Sequence, residues 1–221
     1  MADNIEECAI RLTVGEVTLN GGLCIPPGAQ GAVLFAHGSG SSRLSPRNQF
    51  VAGELRRAGL ATLLFDLLTR EEERLDAFTG ELRFNIRLLA DRLVGATDWM
   101  SREPDTRSLN IGYFGASTGA AAALVAAAER PEILRAVVSR GGRPDLAGDA
   151  LPKVKAPTLL IVGGNDIQVI DLNNAAKRLI RAETRLEIIP GATHLFEEPG
   201  TLEKVAELAA GWFQKHLNTK S

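Results

Sequence analysis

Six short, mostly apolar runs, Ala32–Ala36, Leu60–Phe65, Asn110–Phe114, Ala136–Ser139, Pro157–Val162 and Leu186–Ile189, recur along this chain. Most are separated by stretches with helical periodicity. Continuous apolar runs of this length mark strands buried on both faces, which occur in parallel sheets flanked by helices. The intervening stretches supply the helices: Asn48–Ala58 with a stop at Gly59, about 81–102, the alanine-rich Ala120–Ala128, Leu172–Ala182 and about Leu202–His216. In the second of these, Leu82, Ile86, Leu89, Leu93, Ala96 and Met100 trace one face at spacings of three and four. Together they predict an α/β fold with a mostly parallel sheet, helices on both faces and right-handed crossovers.

The chain opens differently. Ala9–Val14 and Val17–Ile25 flank Gly15-Glu16 and are closed by Pro26-Pro27-Gly28, the pattern of an antiparallel hairpin. In a two-residue turn there, Cys8 opposes Leu23 and Cys24 faces the other way, so a disulfide between the cysteines is not expected. At 221 residues the expectation is one domain over 1–221. The tight spacing leaves no room for an inserted cap domain, and the mouth of any site is then built mainly by loops.

A net charge of −2 and a pI near 6.0 give no electrostatic reason to expect nucleic acid or an anionic membrane as partner. Met1–Glu7 lacks the basic flank and apolar stretch of a secretory signal, and no apolar run reaches membrane-spanning length. A soluble cytoplasmic protein acting on a small molecule is the resulting expectation, with its oligomeric state open.

Ligands of open parallel sheets gather at the carboxyl ends of the strands. There Gly115-Ala-Ser-Thr-Gly119 turns from the third run into the alanine-rich helix, which makes Ser117 a candidate nucleophile. Asp166 follows the fifth run in Gly163-Gly-Asn-Asp166, and His194 follows the sixth in Pro190-Gly-Ala-Thr-His194. A serine hydroxyl needs a base to take its proton and an acid to orient that base, so Ser117, His194 and Asp166 form a candidate triad. The expected oxyanion donors are the backbone amides of Thr118, the residue after the nucleophile, and Ser39, in the His37-Gly-Ser-Gly40 loop. His37 itself reads as structural, and His216 as a solvated residue at the end of the last helix. Trp99 and Trp212 read as packing residues.

From Ala32-Val-Leu-Phe-Ala-His-Gly38 through Gly112-Tyr-Phe-Gly-Ala-Ser-Thr-Gly119 to Gly191-Ala-Thr-His194 the chain resembles the α/β-hydrolases, closest to the small, capless dienelactone-hydrolase-like branch. The resemblance implies hydrolysis through an acyl-enzyme, with no metal and no organic cofactor. One departure stands out: dienelactone hydrolases proper use a cysteine nucleophile, and this chain has Ser117 there. Lactone-diene specificity is therefore not carried over.

Arg43, Arg47, Arg140 and Arg143 fall in strand-end loops. Two readings stand: they converge to bind a substrate carboxylate or phosphate, or they pair with local acids such as Asp66 and Asp145. The acidic stretch over 69–76 reads as a solvated surface loop, with a mobile flap over the site as the alternative. The function expected is hydrolysis of a small ester, lactone or thioester, with a preference for anionic substrates if the arginines converge. Peptidase or amidase activity on the same triad, or a binding module on a hydrolase fold, are the alternatives.

Overall fold

A computed structural model describes residues 7–218. The segment Met1–Glu6, which carries most of the signal-peptide reading, lies outside the described residues. Eight strands form one sheet: β1 (Cys8–Val14), β2 (Val17–Cys24), β3 (Gly31–Ala36), β4 (Ala61–Phe65), β5 (Asn110–Ala116), β6 (Leu134–Arg140), β7 (Thr158–Gly163) and β8 (Thr184–Ile189). Their order across the sheet is β1-β2-β4-β3-β5-β6-β7-β8. The pairs β1–β2 and β2–β4 are antiparallel, and every pair from β4 to β8 is parallel. The hairpin register sets Cys8 opposite Leu23, and no disulfide joins Cys8 to Cys24.

Helices α1 (Pro46–Arg57), α2 (Arg70–Thr79), α3 (Ile86–Met100), α4 (Thr118–Glu129), α5 (Ile167–Leu179) and α6 (Thr201–Leu217) connect or follow the strands. Side chains alternate along the central strands and so divide between two cores. Leu34, Tyr113 and Val137 pack with Leu93 of α3 and Ala123 of α4 on one face. Val33, Phe35, Phe114 and Val138 pack with Leu55 of α1 and Phe213 of α6 on the other. Each fully buried Leu or Phe of this kind contributes roughly 1.5–3 kcal/mol relative to exposure. Tyr113 keeps its hydroxyl satisfied in that setting by a 2.6 Å hydrogen bond with Thr97.

Two sequence expectations change, and one further element has no counterpart among them. The 69–76 stretch is not a loop: it is the start of α2, nucleated by a reciprocal cap in which Thr69 Oγ1 accepts from the Glu72 N–H and Glu72 accepts from the Thr69 N–H. The segment from 81 to 102 is broken, because Asn85 caps α3 through the Leu88 N–H and the residues before it, Leu82–Phe84, form a separate 3-10 turn. A further 3-10 segment, Pro144–Lys153, lies between β6 and β7, where no helical period is visible.

In this strand order the chain leaves β3 towards β4 and later returns to build β5 on the other side of β3. The loops after β3 and β5 consequently diverge over a crevice at the sheet's switch point. The loop after β3 carries His37–Ser39, and the turn after β5 carries Ser117.

Candidate active site

Ser117 occupies the turn from β5 into α4 with φ 51° and ψ −119°. Among the described residues only Phe196 shares a positive φ without being glycine. Such a conformation costs of order 1–3 kcal/mol and persists only where the surroundings impose it. Here they do. A Cβ at Gly119 would collide with the carbonyl oxygens of Ala36 and His37, so α4 is pressed against the end of β3. The Ser117 N–H donates to the Arg140 carbonyl at 3.2 Å, and the Ser117 carbonyl accepts from the Arg143 N–H at 3.1 Å. The turn is thereby fixed from both sides.

Asp166 caps the gap between β7 and α5, and His194 lies in the loop between β8 and α6. Their side chains meet, with His194 Nδ1 2.6 Å from Asp166 Oδ2. Asp166 is the more buried partner. The loop bearing His194 is tied to the loop after β7 by bonds from the Asn165 N–H to the Ala192 carbonyl and from Asn165 Nδ2 to the Gly191 carbonyl. Gly141, one residue past β6, bridges this pair to the serine turn: a Cβ there would lie 3.1 Å from the His194 carbonyl oxygen and 3.5 Å from Nδ1. Residues from the ends of β5, β6, β7 and β8 thus converge.

Beside the Ser117 turn, Thr118 is the first residue of α4, where helix geometry leaves its N–H without an intrahelical acceptor. The Ser39 amide is engaged: it donates to Thr118 Oγ1 at 2.9 Å. His37 is buried, and its Nε2 accepts from the Leu67 N–H at 3.0 Å, which leaves Nδ1 to donate to the Gly38 carbonyl at 3.1 Å. Burial pushes its pKa below the ordinary histidine value, against the opposing pull of the Gly38 carbonyl and Asp66. His37 therefore fastens the Gly38–Ser39 loop to the end of β4. A cavity of about 510 Å3 opens beside that loop, over the carboxyl ends of β3 and β4. Gly38 in its wall sits against the Ser117 turn: a Cβ there would lie 3.2 Å from Ser117 Cβ.

The far wall is helical rather than made of loops alone. Glu73 and Asp76 of α2 line the cavity together with Arg83. Asp76 accepts from the Leu82 and Arg83 N–H groups at 2.7 and 3.1 Å and from Arg83 Nε at 2.5 Å, while Glu72 binds Arg92 at 2.6 Å. Helix α2 is thus pinned at its capped start and at its end.

The four arginines separate. Arg43 pairs with Asp66 through both its backbone N–H, at 2.9 Å, and its Nε, at 3.3 Å. Arg143 forms a two-pronged pair with Asp145 at 2.9 and 2.7 Å. Arg47 reaches the exposed Glu197 at 3.1 Å. Arg140 has no such partner: its Nε is buried without a hydrogen-bond acceptor, and its guanidinium carbon lies 5.9 Å from the Phe196 ring centre.

His216 corrects an expectation. Its side chain is only 12% exposed, its ring lies 4.6 Å from that of Trp212, and its Nε2 is 3.9 Å from Glu183. The last turn of α6 folds onto the end of the sheet, which buries a residue that its position near the chain end suggested was solvated. Trp212 and Trp99 pack against the cores as expected. Among the described residues, no group of three or more His, Cys, Asp or Glu side chains is placed to hold a metal ion, and no helix is long and apolar enough to cross a membrane.

Known proteins match this arrangement over nearly its full length. Residues 23–219 match the dienelactone hydrolase family. A dienelactone hydrolase structure from Anabaena variabilis is 65% identical, with a TM-score of 0.95 over 96% of this chain and 98% of that one. A lidless serine hydrolase structure from Xanthomonas campestris, 18% identical over 98% of this chain and 97% of its own, shares the fold with a TM-score of 0.76. A Mycobacterium tuberculosis protein that carries a provisional phosphoribosyl transferase name is 59% identical over 208 residues, 94% of this chain. The match spans only 46% of that protein, so this chain is about half as long as the relative. On the family match and the Anabaena likeness, the chain belongs to the dienelactone hydrolase family.

Proposed function

We propose that this chain is a serine hydrolase that cleaves small carboxylic esters, lactones or thioesters through an acyl-enzyme. The observation that carries this reading is the 2.6 Å pair of His194 and Asp166 at strand ends beside a strained Ser117 turn. In it, His194 Nε2 takes the Ser117 hydroxyl proton as Oγ attacks the carbonyl carbon, and Asp166 holds the imidazolium through Nδ1–H. The Thr118 N–H receives the developing oxyanion, with the Ser39 loop alongside it. Collapse breaks the carbonyl carbon to leaving-group bond, and His194 returns the proton to the departing oxygen or sulfur. Water repeats the sequence on the acyl-enzyme, releasing the acid and restoring Ser117.

The cavity beside Gly38 is of a size that suits a small-molecule substrate. The name of the mycobacterial relative belongs to a protein about twice as long. Labelling with a fluorophosphonate probe tests the reading. Wild-type protein is expected to label and Ser117→Ala is not; a folded wild-type sample that stays unlabelled refutes the hydrolase.

A further inference from the structure

The sheet ends in β8, so one side of this strand has no neighbouring strand. Its other side pairs in parallel with β7 without a shift in register. The Thr158 N–H donates to the Glu183 carbonyl and the Gly164 N–H to the Ile189 carbonyl, which assigns the β7-facing groups to the odd-numbered residues. The N–H and C=O groups of Thr184, Leu186 and Ile188 therefore point away from the sheet. An edge of this kind is a template for another strand unless the chain blocks it.

The usual blocks are missing. Thr184-Arg-Leu-Glu-Ile-Ile189 holds no proline, no lysine and no bulge. Helix α6 does not cover the strand: a groove of about 310 Å3 opens between them, lined by Leu159, Arg185, Leu208, Gly211 and Trp212. Apolar surface lies on the edge as well, since Ile188 is 45% exposed and Leu186 is half-buried.

Arg185 and Glu187 are the charged residues of β8, and within one copy they pair with each other along the strand. They align with Leu159 and Ile161 of β7, whose side chains join the core under α6, so both charges lie on that face. Their order is self-complementary about Leu186.

We propose that β8 is the docking surface for a second copy of this chain, which adds its own β8 antiparallel across a two-fold axis at Leu186. In that register Leu186 faces Leu186, Thr184 faces Ile188, and Arg185 of each copy faces Glu187 of the other. Outward backbone groups then meet outward backbone groups over the whole of Thr184–Ile188, and the four charges alternate in sign. Moving the axis one residue either way sets Arg185 against Arg185 or Glu187 against Glu187. The opposite edge of the sheet lacks this property: β1 centred on its middle residue would oppose Arg11 to Arg11. Because β8 runs into the loop that carries His194, the pairing also braces the strand from which that loop departs. The association does not depend on Ser117 being reactive.

Sedimentation equilibrium from micromolar to near-millimolar concentration, with circular dichroism to verify folding, tests this. A contact built on one short strand pair is expected to give a dimer with a dissociation constant of roughly micromolar order. Arg185→Glu and Glu187→Arg each set like charges across the axis and are expected to raise that constant about tenfold to a hundredfold. Mixed in equal amounts, the two variants are expected to form a heterodimer about as tight as the wild-type dimer, because every pair across the axis is then opposite in sign. Leu186→Pro removes an outward donor and no bond to β7, so it is expected to weaken the dimer while the chain stays folded, and it reads the edge by itself if a charge variant does not fold. A wild-type chain that is monomeric throughout the range overturns the proposal, as does a dimer that these variants leave unchanged. A dimer weakened by both charge variants but not recovered on mixing them overturns it too, since the two charges would then not face each other.

Discussion

The Ser39 backbone N–H donates to Thr118 Oγ1 at 2.9 Å, joining the loop after β3 to the first residue of α4. Both residues were expected to supply oxyanion donors, and the bond shows that the two sides of that pocket are held to each other by a side chain. Spent on that bond, the Ser39 N–H acts by fixing the loop, and the Thr118 N–H is the donor left for the proposed oxyanion.

Thr118→Val removes the acceptor while keeping the shape. The expected result is a fall in kcat of about tenfold, corresponding to one neutral hydrogen bond, with Thr118→Ser restoring the rate. Steady-state kinetics on phenyl acetate reads it. A rise in kcat would instead mean that Thr118 withholds the Ser39 amide from the oxyanion.

Asp166→Asn preserves volume but presents an amide to His194 Nδ1. By analogy with the same change in other serine triads, kcat is expected to drop by about 10⁴-fold while KM changes little. A loss of less than about tenfold would remove Asp166 from the proposed triad.

His37 makes stability depend on pH. Its folded pKa lies below the 6.5 of a free imidazole, so as pH falls the unfolded chain takes up the proton first. Stability is full above that value and declines as pH falls through it towards the lowered folded pKa, where the loss levels off. His216, also pushed down by burial and by Lys215 against the pull of Glu183, adds a slope of the same sign. Urea midpoints at about pH 7.5 and about pH 5 check this: His37→Gln should lose less stability over the interval than wild type. An equal loss would assign the slope to other groups.

Gly119→Ala places a Cβ against the Ala36 and His37 carbonyls, neither of which belongs to a flexible side chain. A loss of about 1–3 kcal/mol is expected from such overpacking, together with reduced fluorophosphonate labelling as the Ser117 turn shifts. Thermal melts and labelling rates on the same sample read both; an unaffected protein would show that α4 can retreat from β3 without cost.

Much of the frame is legible in local chemistry. The two-residue turn at Gly15-Glu16 dictates the pairing of Cys8 with Leu23, because hairpin register follows turn length. Apolar runs locate β3 to β8, and the loops at their ends carry Ser117, Asp166 and His194. Helix α2 also had a signal, Thr69-Arg-Glu-Glu72 before an extended helix-forming stretch, but its run of acids hid the cap. The fate of the arginines had none. Arg43 and Arg143 lie in loops, whereas Arg140 is the last residue of β6, and in the sequence all three simply follow a strand; the positions of Asp66 and Asp145 separate them.

The sequence by itself determined which residues stand at strand ends, because hydrophobic period and turn chemistry act over a few neighbours. Only the tertiary structure decided which of them meet. Strand order sets distances between residues far apart in the chain: it brings Asp166 to His194, locks Ser39 to Thr118, and sets the Phe196 ring against Arg140. Those are consequences of packing through space, which no local pattern encodes.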